Sequence, residues 1–364
     1  MNKSKLTSFC LTALLLAAVT LESCKKEEPN PTSTSGPAGA YSNGVFISCE
    51  GAFGSGTGTV SFFSRSTQTV SNDVNQAVNS LPLGNIVQSM QLHNGKGYVV
   101  VNNSGKVEVV NASSFESAGK ITGLTSPRYF AGINANKAYV SQWGSAGTDV
   151  GVRVIDLSSN TAGALIPCGA GPEKMLKSGN FVYVVNSGGF GNDSTVTVIN
   201  TTTDAVSATI QVGHNPNSIV QDKNGKIWVL CGGIVDFSVP ANGTPGKLIR
   251  INPTTNLIEA TFTFSSGSEH PLHLSLNKAK DKLLFLGNLY SLGSLYSFDI
   301  TGSALPSTPS IARNFYGLGV DPVTDQIFTS VTNFSNGWIL RYNSNAGLID
   351  SFQVGVIPGN FCFN

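Results

Sequence analysis

Charge is scarce in this sequence. Asp, Glu, Lys and Arg make up 12% of its 364 residues, about half the share of an ordinary globular chain. What charge there is nearly cancels, to a formal net of +1. Without a basic stripe, nucleic acid is not an expected partner, nor is electrostatic membrane attachment. Catalytic signatures are missing as well: there is no GxSxG, no P-loop and no CxxC. The four histidines are His93, His214, His270 and His273. His270 and His273 stand three apart in "HPLH", a spacing that turns two rings to opposite faces of an extended segment and suits a metal poorly. The Gly-rich stretch "GFGNDS" (Gly189 to Ser194) lacks the following helix that phosphate binding wants. The expectation is a protein without metal, cofactor or enzymatic activity.

Long apolar runs are also absent. Leu11 to Val19, behind Lys3 and Lys5, is too brief to cross a membrane as a helix and reads as a secretory signal. It ends in Leu21-Glu22-Ser23-Cys24, which resembles the lipobox of bacterial lipoproteins, although Glu22 replaces the usual small residue. The expected signal is therefore 1–23, with Cys24 carrying the lipid anchor. "KKEE" (Lys25 to Glu28) resembles the tag that sends Bacteroidota lipoproteins to the outer face of the outer membrane. Residues 24–42, rich in Pro, Ser, Thr and Gly, read as a tether reaching roughly 24 Å. Removing Lys3, Lys5 and Glu22 leaves 20 basic and 20 acidic residues.

The body, 43–364, is built of repeats. Short β-rich runs recur as "GVFISC", "GYVVVN", "KAYVSQ", "FVYVVN", "KIWVLC", "KLLFLG" and "QIFTSV". Each is followed by a partner strand, six of which end in Asn or Asp: Asn111, Asp156, Asn200, Asn252, Asp299 and Asn343. A further strand then returns, as in "AVSATIQV". The turns before the first-named runs lie 41, 45, 44, 56 and 44 residues apart, the 56 reflecting an inserted loop, Gly232 to Gly246. Four strands at a period of about 40–50 residues are the signature of propeller blades. The first unit lacks its innermost strand, and the C-terminal "IPGNFCFN" aligns with the innermost strand of another blade. Both chain ends should share one blade, which closes an all-β, seven-bladed propeller. The six Asx residues invite a reading as ligands, but each stands where a strand enters a tight turn, and turn organisation is the expectation. Cys49 and Cys362 would lie on adjacent strands of the shared blade, two residues out of register. A disulfide between them is one expectation and two free thiols the other.

"VIDLSSN" (Val154 to Asn160) and "VINTTTDAVSATIQVGHNPNSI" (Val198 to Ile219) resemble the repeats of YVTN/YncE-type propellers. "LPLGNIVQSM" (Leu81 to Met90), "NNSGKVEVVN" (Asn102 to Asn111) and "SPRYF" (Ser126 to Phe130) resemble the Bacteroidota surface-lipoprotein subgroup. BtuG, which captures cobalamin for a TonB-dependent outer-membrane transporter, belongs with that subgroup. The resemblance implies a surface-exposed binding protein with a small-molecule ligand such as a corrinoid, and a TonB-dependent transporter as partner. The rival readings are an adhesion propeller that recognises protein or glycan, and, third, a propeller lyase or oxidoreductase.

Propeller geometry narrows the binding face. Loops leading into the innermost strands and loops after the second strands share one face around the channel mouth. Those positions carry Arg128, Tyr129, Glu173, Trp143, Asn103, Asn186, Asn217, His273, Tyr316 and Phe334, with Glu50, Gln88 and Phe190 beside them. Aromatics, amides and a few charges suit a large, mostly neutral ligand. Arg128 is the best single candidate, because a cation so near the channel needs an acidic or ligand partner. Glu173 on the next blade is the available acid.

Overall fold

The Asx residues act as turn organisers. The side-chain oxygens of Asn111, Asp156, Asn200, Asn252, Asp299 and Asn343 each accept the backbone N–H two residues on, at 2.8–3.0 Å. This bond holds the chain in a turn between two strands, so these oxygens are spent on structure. The computed structural model describes residues 39–54, 56–236, 238–239, 242–267, 269–287, 293–333 and 335–364. The expected signal 1–23, Cys24, the tether up to residue 38 and Phe334 lie outside the described residues.

Among the described residues, seven four-stranded antiparallel sheets form a ring of blades, and the fold is a seven-bladed β-propeller. The innermost strands of blades two to seven are Val87–His93, Pro127–Gly132, Pro172–Ser178, Pro216–Gln221, Leu272–Leu276 and Leu318–Val320. Blade one runs outward as Pro358–Phe363, Gly44–Cys49, Thr59–Ser64 and Thr69–Ser71. Both chain ends thus meet in one sheet, with Val45 opposite Phe363 and Ile47 opposite Phe361. Closure by strands from the two termini removes long free edges.

The core lies between blades. Tyr98, Tyr139, Tyr183 and Trp228 occupy equivalent places in successive second strands and are 0–2% exposed. Burial of a large side chain there stabilises by about 1.5–3 kcal/mol. The Tyr139 and Tyr183 hydroxyls each reach a turn of the next blade, donating to Asp204 and Asn256. The seam between blades one and seven is charged instead. Arg65 grips the fully buried Asp321 through two bonds of 2.7 and 3.0 Å and also donates to the Asn364 carbonyl. Arg341, 1% exposed, donates to Asp350, Gln326 and Gln68 and lies 4.1 Å from the Phe63 ring centre.

The cysteine pair is a correction. Cys49, Cys168, Cys231 and Cys362 are all free thiols. Cys362 stands opposite Phe46, and Cys49 opposite Pro358. Strand alternation puts Cys362 in the core with Phe46, and Cys49 in another core with Val45 and Ile47. A bond would have to pass through the sheet. A helix, Val74–Asn79, was not anticipated; it joins blade one to blade two and buries Val74 and Val78.

Candidate ligand-binding site

The channel mouth is shaped by a backbone device repeated in blade after blade. Ile86, Ser126, Gly171, Asn215 and Ile357, each just before an innermost strand, have φ between 50 and 61°. This left-handed turn lets each carbonyl accept the N–H of the residue after the second strand: Asn102, Trp143, Ser187, Gly232 and Glu50, at 2.8–3.1 Å. For Ile86 and Ile357 the conformation is strained, since β-branched residues rarely adopt it. The clamp fixes Trp143 and Glu50 at the mouth.

A second irregularity follows at once. The pairing register slips between Val87 and Ser89, Pro127 and Phe130, Pro172 and Met175, Pro216 and Ser218, and Leu272 and Ser275. Such bulges re-aim side chains that regular alternation would send elsewhere. Gln88, Arg128, Tyr129, Glu173, Lys174, Asn217 and His273 all sit in them. Six of the candidate residues, Arg128, Tyr129, Trp143, Glu173, Asn217 and His273, line one cavity of about 300 Å³, with Lys174 added.

Charge in the cavity is unevenly partnered. Arg128 Nε lies 2.9 Å from Glu173 Oε1, its Nη1 donates to Gln88, and its guanidinium covers the Trp143 ring at 4.1 Å. Burial lifts the Glu173 carboxyl, although Arg128, and more weakly Lys174, pull it back. The Trp143 indole also favours the Glu173 carboxylate, but its N–H is buried outside hydrogen-bonding geometry. Across the mouth, Tyr316 donates to Glu50 at 3.0 Å, and burial raises the Glu50 carboxyl as well. Burial, with the nearby Lys174 charge second, pushes His273 down to about 3, so its ring is neutral. Lys174 differs from all of these. Burial pushes its amine down to about 8, opposed by the Glu173 charge, and its Nζ stands 6.0 Å from the Tyr129 ring centre. It makes no hydrogen bond or ion pair among the described residues.

The remaining candidates divide. Tyr316 is spent on Glu50, while Asn217, already placed in the cavity wall, donates to the Pro271 carbonyl at 2.9 Å. Asn103 is exposed on the rim and donates to Asn85. Asn186 is fully buried at a strand end, donating to Thr195 and Thr197, and does not reach the face. The sequence reading passed over Lys174 because alternation seats it opposite Glu173. A "Pro-Glu-Lys" aligned with "Pro-Arg-Tyr" was the available signal, since the blades share the bulge.

Comparisons with known proteins agree on the architecture. A quinoprotein alcohol dehydrogenase-like protein from Bacteroides thetaiotaomicron superposes with a TM-score of 0.67 at 15% identity, covering 89% of this chain and 78% of that one. The periplasmic gluconolactonase PpgL of Pseudomonas aeruginosa gives 0.64 at 11% identity, covering 87% and 98%. Hydrazine synthase of Kuenenia stuttgartiensis gives 0.58 at 13% identity, covering 76% and 88%. At such identities the likeness shows the fold alone. No curated protein matches the sequence significantly. Residues 43–358, nearly the whole propeller, match a domain of unknown function, DUF5074, and the chain belongs to that family.

Proposed function

We propose that this protein is a non-enzymatic binding propeller, lipid-anchored at Cys24 on the outer membrane surface. It captures a nutrient at the channel mouth for a TonB-dependent transporter, and the favoured cargo is cobalamin or another corrinoid-sized molecule. The observation that carries this reading is the mouth cavity, where Trp143, Tyr129, Asn217 and His273 surround about 300 Å³ of space. Aromatic surface with a few fixed polar groups is what small-molecule capture uses. A corrinoid exceeds that volume, so an edge or side group enters while the ring lies over the rim. Phe190, 98% exposed and edge-on to Trp143, offers it apolar surface there. The acids of the mouth are already engaged, Glu173 by Arg128 and Glu50 by Tyr316, which favours binding over acid–base chemistry.

The test is a titration of the full acylated chain with cyanocobalamin and cobinamide. Saturable binding that Trp143→Ala weakens at least tenfold is expected. No change in absorbance or melting temperature removes corrinoids as cargo. Failure of palmitate to label the chain removes the anchor.

A further inference from the structure

A second cavity, of about 500 Å³, is lined by residues further along the innermost strands. Its wall includes Met90, Leu92, Phe130, Leu274, Leu318 and Phe361. Lys174 and Tyr129 line both cavities and stand between them. The wall is of mixed character, with Gln91, Ser275 and Asn360 among these apolar residues, and at one end stands an ammonium without a hydrogen-bonding partner among the described residues. The nearest acid, Glu173, is held by Arg128 at 2.9 Å.

A part-buried cation left in this state is costly, and an anionic group that reaches it recovers the lost solvation. By volume the cavity has room for a small amphiphilic acid, whose tail needs only part of the wall to be apolar. We propose that this second cavity binds a small apolar monocarboxylate, its hydrocarbon body against Leu92, Phe130 and Leu318 and its carboxylate on Lys174 Nζ. The charged and titratable groups around that ammonium are Glu173 on its own strand, Arg128 and Tyr129 on the preceding blade and His273 two blades on, with the Glu50–Tyr316 pair beyond Arg128 and Tyr129. With His273 neutral, Arg128 bonded to Glu173 and Glu50 bonded to Tyr316, the ammonium is left without a bonded partner among the described residues. The hydrocarbon part of this site lies outside the mouth cavity, Lys174 and Tyr129 being common to both, and the proposal does not rest on the corrinoid reading.

Calorimetry on the full chain tests it with decanoate, octanoate, decanol and inorganic phosphate as probes. Decanoate should bind about tenfold tighter than octanoate, since each buried methylene is worth roughly a factor of four at most. Decanol and phosphate should each bind at least tenfold more weakly than decanoate, and decanoate affinity should fall as pH rises above 8. Lys174→Met should abolish the preference for decanoate over decanol. Should Lys174→Met fail to fold, Gln91→Trp carries the test, because Gln91 is an exposed residue of the cavity wall. It narrows the cavity, keeps the ammonium, and should weaken decanoate tenfold while leaving a cyanocobalamin titration unchanged. Equal binding of decanoate and decanol, or of phosphate and decanoate, would overturn the proposal, as would native affinity in the folded Lys174→Met or Gln91→Trp variant.

Discussion

Arg341 and Lys174 are both cations withdrawn into the same ring, and the protein treats them in opposite ways. Arg341 at the seam is 1% exposed and has every arm engaged, by a carboxylate, two amides and an aromatic face. Lys174 in the channel has only a distant ring. Arg128 stands between them, paired with Glu173 yet facing the cavity. A guanidinium with fixed forks suits a permanent joint, whereas an ammonium on a flexible stem keeps binding capacity in reserve. Satisfied charge marks where the ring is locked. Unsatisfied charge marks where it can still take a partner.

Removing the satisfied cation should have the largest effect. Arg341→Ala strands Asp350, Gln326 and Gln68 together and should destabilise by about 3–5 kcal/mol, read as a lower urea midpoint with unchanged slope. Next comes the intermediate case. Glu173→Gln leaves Arg128 without its counter-charge and should cost about 2 kcal/mol. The same variant should bind decanoate severalfold more tightly, because Arg128 becomes available to it; weaker binding would show that Glu173 positions Lys174 instead. The smallest effect is also opposite in sign. Burial holds the folded-state amine of Lys174 at about 8, below the ordinary lysine value of 10.5. The unfolded chain therefore binds more protons between those values, and folding stability rises with pH across that window. Lys174→Met should consequently raise the melting temperature by about 2–4 °C at pH 7, with the gain shrinking towards pH 10. A fall at pH 7 would mean that the ammonium is partnered after all.

Much of the ring was readable because each blade repeats the same local solution. Asn200 and Asp299 predict their turns from side-chain length alone, and the alignment of "IPGNFCFN" with "NPNSIVQD" reveals how blade one closes. The helix Val74–Asn79 was not readable. It has six residues, and its preceding residue Asp73 provides no side-chain cap. One apolar pair at i,i+4 is too little periodicity to detect. The thiol pair failed by one residue of register, which in a strand is a change of face. At the mouth, chain position alone was enough to place Arg128, Trp143 and His273 around one cavity. Asn186 does not reach the face because it is the buried last residue of the second strand, and Thr195 and Thr197 consume its amide. Lys174 was hidden by the bulge between Pro172 and Met175, a break in alternation set by blade curvature and by the left-handed turn at Gly171.

The distinction between locked and available charge rests on one titration. Lysine carbons labelled with ¹³C in the full chain, with Lys174→Arg to assign the signal, report the ionisation of this amine directly. We expect a midpoint near 8 that moves upward when decanoate is added. A midpoint at the ordinary lysine value of 10.5, unmoved by decanoate, would contradict the account.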